Sequence, residues 1–525
     1  MNDNEYRKPF TEPSADIIFC SADKVYFRLH KIILSLASDF FKSMLSLPQP
    51  VIDASNSSCA SDVDGIPVVH VTEPGDVLES LFRLCYPIPD PPLDTIDRVR
   101  TTLEAALKYE MQEAVSIATY KLQKLVKTAP SRVYAIAHCL SLMDVVPVAA
   151  NAVSQQKTQN TYVKELEEIP VSAYRNLLIY CNGGNIQWTP DSTPTPHSNR
   201  ISRKAARKEA LLRTKSKPPL STPSSPRSDE VIVLPTFDPD SAEVIIRTSD
   251  GVRLGVSKEI LRLSSPVLFE QVIAIPSDPD SDFTTLVVDV AEPGAVMLLL
   301  LSLCHPNTCP DLTADFPVTI AALEPAQKYH MKKAVWHLCN NVQLLAREPS
   351  MDPVSLYFAA CRFRMPELAK VAAQRTLRSD LIKGSFPDVD LPGVSAGCLW
   401  RLLDYHRRCR TTVRALFDEG TAWISPEWTT KLRAPCTRSP RPVTCCWLEG
   451  YLRAIGREAW PDRTSPTSET ALAVAIDRDD YYSADRRCGG CRGAKGLSSM
   501  LSFSKYLEEI IDEREGKVEL PWLAS

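Results

Sequence analysis

Two short runs rich in β-branched and aromatic residues, Ile17-Ile18-Phe19 and Val25-Tyr26-Phe27, flank the polar stretch Ser21-Ala22-Asp23-Lys24. This pattern predicts a β-hairpin near the start of the chain. The period then changes: Ile32, Ile33, Leu36, Phe40, Phe41 and Met44 recur at helical spacing, with Ser38-Asp39 placed to cap the last part. After a polar stretch from Gln49 to Gly65, Val68-Val69-His70-Val71 returns as a strand. Beyond Pro74-Gly75 the apolar pairs follow a helical pattern almost to Cys181. Strands come early and helices late, which predicts an α+β architecture.

The same pattern is written a second time. Ala15 to Met44 reappears at Ala242 to Gln271, and the order downstream is kept. Glu73-Pro74-Gly75 recurs as Glu292-Pro293-Gly294, Leu84-Cys85-Tyr86-Pro87 as Leu303-Cys304-His305-Pro306, and Leu107-Lys108-Tyr109 as Gln327-Lys328-Tyr329. Met111, Val115, Ala118, Leu122 and Leu125 correspond at one offset to Met331, Val335, Leu338, Val342 and Leu345. Spacings of that kind place all five on one helix face. A repeat so much longer than a solenoid unit implies two complete domains.

The expected organisation is a first domain over 11–185, a linker over 186–230, a second, diverged domain over 231–410 and a C-terminal helical region over 411–525. The linker, crowded with Pro, Ser, Thr and basic residues, has no apolar period and is expected to be disordered. The last region is expected to end in an amphipathic helix through Met500, Phe503, Leu507, Ile510 and Ile511.

Composition narrows the function classes. A net charge of −4 gives no global attraction to nucleic acid or membrane. The longest apolar run, Ala295 to Leu301, is far shorter than the roughly 20 residues that span a bilayer. The polar stretch Met1 to Phe10 lacks the apolar core of a secretory signal. A soluble intracellular protein, cytoplasmic or nuclear, is expected. The 16 cysteines lack framework spacing and are expected to be mostly small buried hydrophobes in a reducing compartment.

Asp16-Ile17-Ile18-Phe19, then Phe27-x-x-His30-Lys31-x-x-Leu34, then Ser38-x-x-Phe41-x-x-Met44 resembles the BTB/POZ domain, over about Thr11 to Leu125 and more weakly over the second copy. The helical continuation and the Cys488-x-x-Cys491-Arg segment are similar to a group of fungal BTB-containing proteins. The resemblance implies a protein-interaction domain that dimerises through its N-terminal helices, with Asp16 and Lys31 matching an acidic and a basic residue that line a pocket at the dimer interface. Read without the family, the pair is a structural contact worth about 0–1 kcal/mol if exposed. The second copy keeps Glu243 and Lys258 but has Ser257 where the first has His30, whose expected role is structural. Some family members hand substrates to cullin-type ubiquitin ligases through a hydrophobic-x-Glu element. Here Met44 is followed by Leu45-Ser46-Leu47-Pro48-Gln49, which lacks that glutamate.

Motifs for chemistry are sparse. Gly393-Val394-Ser395-Ala396-Gly397 fits G-x-S-x-G, but a nucleophile there needs a strand before it and a histidine able to fold back. Pro387 to Pro392 is a poor strand, and His406 follows along the same helical segment. Ser395 and its counterpart Ser172 are expected to cap helices. Cys488-Gly489-Gly490-Cys491 has metal-ligand spacing without a second pair, Cys436, Cys445 and Cys446 being the nearby candidates, so no metal and no cofactor are expected. The linker carries Arg200, Arg203, Lys204, Arg207, Lys208, Arg213, Lys215 and Lys217, flanked by Thr-Pro and Ser-Pro steps.

The sequence thus predicts a non-enzymatic scaffold of two tandem BTB-like domains that binds protein partners and self-associates, as a homodimer or an intramolecular pseudo-dimer. Alternatives are an adaptor for a cullin-type ligase and a nuclear transcriptional regulator. The latter lacks any recognised DNA-binding motif, so nucleic acid is not an expected partner.

Overall fold

The computed structural model describes residues 6–47, 66–188, 237, 242–274, 286–306, 308, 310, 312, 316–345, 351–378, 381, 393–418, 420–432, 448, 451–452, 455 and 494–521. The chain forms two compact units: Met1–Lys217 with Pro392–Asp404, and Pro218–Leu391 with Tyr405–Ser525. The basic linker cluster, Cys436, Cys445, Cys446, Cys488 and Cys491 lie outside the described residues.

In the first unit β1 (Ile17–Cys20), β2 (Tyr26–Leu29) and β3 (Val68–His70) form a sheet of order β2-β1-β3. The hairpin pairs β1 antiparallel to β2, with Phe19 opposite Phe27. Its turn closes through the Ser21 N–H on the Val25 carbonyl at 3.0 Å, and Lys24 adopts φ 65°. A parallel partner needs a crossover. Accordingly β3 joins β1, Phe19 opposite Val69, only after two helices, α1 (Lys31–Ala37) and α2 (Asp39–Ser46).

The helical run is broken where the sequence shows one continuous period. Ser38 is extended at φ −150°, and its hydroxyl accepts from the Phe41 N–H at 3.0 Å. The restart turns Leu34 and Phe41 into the core and leaves Ile32 and Leu36 66% and 82% exposed. The six apolar residues therefore do not share one buried stripe. After β3 follow α3 (Gly75–Arg83), α4 (Ile96–Lys108) and α5 (Gln112–Lys124), then α6 (Pro130–Cys139), α7 (Val146–Gln156), a 3-10 turn (Lys164–Glu167) and α8 (Val171–Cys181). The predicted face of α5 is buried at Met111, Ala118 and Leu122 and half-buried at Val115.

The core of this sheet is aromatic. Phe82 meets Phe10, Phe19 and Phe27 edge-on, with centroids 5.9, 5.6 and 5.5 Å away, and Phe19 meets Phe41 at 5.5 Å. Such edge-to-face contacts add about 0.5–1.5 kcal/mol each beyond area burial.

The second unit has β4 (Val244–Arg247), β5 (Arg253–Val256) and β6 (Leu286–Asp289) in the order β5-β4-β6, again antiparallel then parallel, with Ile246 opposite Leu254. Helices at Lys258–Ser264, Pro266–Ile273, Gly294–Cys304, Phe316–Lys328 and Lys332–Leu345 follow in the same sequence as α1 to α5. Met331, Leu338 and Val342 are buried and Val335 half-buried, while the Leu345 side chain is outside the described residues. A later core joins Val413, Leu416 and Ile424 to Met500, Phe503, Leu507 and Ile511 of the helix Ala494–Gly516. No described helix is long and apolar enough to cross a membrane.

Candidate interaction surface

Asp16 precedes β1, and Lys31 begins α1, so the hairpin brings them together. The Lys31 backbone N–H, not its ammonium, donates to Asp16 Oδ1 at 2.7 Å. The opening N–H groups of a helix have no partner within it, and an external carboxylate both fills one and favours the helix dipole. His30, half-buried, donates its backbone N–H to the Tyr86 hydroxyl at 2.8 Å, and its Nε2 lies 3.1 Å from Ser14 Oγ. That ties the histidine to the framework. Burial pushes the Tyr86 hydroxyl up to about 12.

The second unit builds the same junction with other residues. The Lys258 N–H donates to Glu243 Oε2 at 2.9 Å, and Ser257 caps its helix through the Glu259 N–H at 3.3 Å.

Outside this junction, Ile32 and Leu36 stand one turn apart on α1 and point away from the core, with Leu47, 64% exposed, just past α2. Sequence periodicity names Ile32 and Leu36 but not their exposure. The available signal is their phase, since Leu34 and Phe41 carry the buried side. In the second unit the position of Ile32 is Glu259, paired with Arg262 at 2.7 Å, and Leu263 remains 77% exposed.

Each unit carries the same polar lock. Tyr109 donates its hydroxyl to Glu73 Oε2 at 2.5 Å, and Lys108 binds the other carboxylate oxygen. Tyr329 and Lys328 hold Glu292 in the same way, at 2.5 and 2.7 Å. Burial raises both carboxyls, but the Lys and Tyr donors outweigh it and hold them below the ordinary glutamate range. The Tyr109 carbonyl in turn accepts from Ser38, and the Tyr329 carbonyl from Ser265 at 2.7 Å. The locks therefore hold the break between the first two helices of each set, and with it the exposed face.

The motif residues fall elsewhere. Ser172 lies inside α8, whose cap position is Pro170, so it does not cap that helix as expected. Ser395 immediately precedes the helix Ala396–Asp418, but its hydroxyl donates to Glu167 Oε2 at 2.7 Å. His406 Nε2 lies 2.8 Å from the Thr376 hydroxyl in the second unit. Among the described cysteines Cys20, Cys398 and Cys409 are buried, and six others are only partly so. Burial pushes the Cys85 and Cys139 thiols up to about 12 and about 11, away from thiolate chemistry. Among the described residues no group of three or more His, Cys, Asp or Glu could hold a metal ion.

No curated protein matches the chain significantly. A family model for the BTB/POZ domain matches residues 8–125, the stretch that contains the β2-β1-β3 sheet, the Asp16–Lys31 junction and α1 to α5. That stretch is thus similar to a module that generally mediates protein–protein interaction and dimerisation.

Proposed function

We propose that the chain is an interaction scaffold with two BTB-like modules, residues 11–185 and 231–410, of the kind found in fungal BTB proteins, and that the first self-associates through the outer face of α1. The observation that carries this reading is the pair Ile32 and Leu36, two large apolar side chains left largely in solvent on one turn of a helix whose buried side is already filled. Exposed apolar area of this kind, rimmed by polar residues, marks association surfaces. Asp16 supports the role by fixing the start of α1. Lys31, at the same junction, supplies a charge at the rim of the face.

The second module reads as a diverged copy. Glu259 with Arg262 replaces half of the apolar face, so this module is assigned to partner binding instead of dimerisation. The reading places the protein inside the cell and gives it no catalytic role. An isologous dimer through the first module is expected to bury on the order of 1,600 Å².

Sedimentation of the full chain at tens of micromolar tests this. A dimer is expected for the wild type, and monomer for Ile32→Glu with Leu36→Glu. A wild type that sediments as a monomer overturns self-association between chains. Co-purification of cullin-type ligase subunits, lost on substitution in α2, would instead favour the adaptor role.

A further inference from the structure

The G-x-S-x-G segment lies outside the α1 face, and its serine and second glycine meet one carboxylate. Pro392–Asp404 belongs to the first unit, although more than 200 residues separate it from the helices it joins. Ser395 pairs with Pro170 in an isolated antiparallel bridge, and the Ala396 N–H donates to the Ile169 carbonyl at 2.8 Å. The Ser395 hydroxyl and the Arg401 guanidinium both donate to Glu167, and the Tyr162 hydroxyl donates to Glu167 Oε1 at 3.0 Å. Arg401 is buried to 6% exposure at this pair. Trp400 donates its indole N–H to the Asn160 carbonyl at 3.0 Å and packs on Tyr162, with centroids 4.9 Å apart.

Both glycines have a reason. Gly393 adopts φ +87°, a left-handed turn that favours glycine. A Cβ on Gly397 would overlap the Glu167 carboxylate, which Ser395, Arg401 and Tyr162 already hold in place. The serine supplies a donor, the second glycine lets the helix approach, and the arginine one turn on supplies the opposite charge.

We infer that Asn160, Tyr162, Glu167 and Ile169 form a docking site for a Gly-x-Ser-x-Gly-x-x-Trp-Arg segment, and that the chain's own residues 393–401 occupy it in cis as a latch. The site has a backbone acceptor for an extended residue, an anionic side chain for a serine and an arginine, and an aromatic ring beside a carbonyl for a tryptophan. Each contact is polar or ring-on-ring and can be reformed by an identical segment from a second copy. The site lies apart from the α1 face, and substitutions at Ile32 and Leu36 leave it untouched.

Hydrogen–deuterium exchange on the full chain tests it. Ser395→Ala with Arg401→Ala is expected to raise exchange at least tenfold in both 160–170 and 394–404, with the β1–β2 hairpin unchanged. Should that variant lose its fold, Glu167→Gln, which keeps an acceptor for Ser395 and removes the charge opposite Arg401, is expected to raise the same two segments about threefold. Excess synthetic peptide 391–406 should restore slow exchange at 160–170 in the variant and change nothing in the wild type. Restoration by added wild-type chain, with a new dimer, would likewise support the site, the occupant then coming in trans. Unchanged exchange in both variants, a rise in only one of the two segments, or no rescue by the peptide would each overturn it.

Discussion

The two sheet modules share a backbone plan but not a core. At Phe19, Phe27, Phe41 and Phe82 the first module packs rings. The equivalent buried positions of the second, set by the same strand registers and helix order, are Ile246, Leu254, Leu268 and Leu301. One aromatic pair survives: Phe10 with Tyr86 at 5.3 Å becomes Phe237 with His305 at 5.8 Å. Polar locks at a glutamate and at an aspartate survive as well. Glu73, Lys108 and Tyr109 match Glu292, Lys328 and Tyr329, and the Gly75 and Gly294 N–H groups donate to Asp23 and Asp250 at 2.8 and 3.0 Å. Left-handed residues recur as Lys24 with Gly251, Glu110 with His330, and Ser141 with Arg364. Apolar volume can be redistributed among side chains provided the total is kept. A buried carboxylate cannot be redistributed, because its donors must stand at fixed points.

The largest effect should come from opening the aromatic core. Phe82→Ala is expected to destabilise the first module by about 3–5 kcal/mol, and Leu301→Ala the second by about 2–5 kcal/mol. Exchange in rising denaturant, read separately in β1–β3 and β4–β6, measures both. If each substitution loosened both sheets equally, the modules would not be separate cores. Next, Glu73→Ala and Glu292→Ala should cost similar amounts, about 1–3 kcal/mol, since each strands a tyrosine hydroxyl and a lysine. A large difference would break the equivalence of the two locks.

The outer faces differ where the locks agree, and this can be reversed. Glu259→Ile is expected to leave folding within about 0.5 kcal/mol of wild type, as for exposed positions away from special features. It should also strengthen concentration-dependent association seen by light scattering, because it recreates beside Leu263 the apolar pair present in α1. Unchanged association would show that the apolar pair alone does not make the interface.

The smallest effect is acid sensitivity. Glu73 and Glu292 are held below the ordinary glutamate value in the folded state, so their stabilisation is present above that value, about 4.3, and is lost as pH falls through the lowered folded one. Glu73→Gln and Glu292→Gln should each flatten the decline in stability of their own module below that pH, measured by denaturant titration. A slope unaffected by both would remove the carboxylates as its cause.

Much of this was legible in the sequence. Residue order and period gave the hairpins, the late helices, the duplicated stripe of Met111 and Met331, and the cap at Ser38, because these depend on neighbours a few residues apart. The sequence pairs Asp16 and Lys31 as side chains, whereas the bond that forms uses the Lys31 backbone. Exposure of Ile32 and Leu36 shows in the sequence only as their phase against Leu34, since period alone cannot say which face of a short helix the core takes.

Local patterning and repetition were therefore settled by the amino-acid string: two strand-then-helix segments and their hydrophobic stripes. Only the folded chain decided what those residues meet. The pairing of Glu167 with Ser395 and Arg401 spans more than 220 residues of sequence, and hydrogen bonds of that kind depend on distances that no spacing along the chain encodes. The carboxylates, unlike the apolar stripes, have partners fixed by geometry alone, which is why the G-x-S-x-G segment, whose serine reads along the chain as a helix cap, meets Glu167 in the fold.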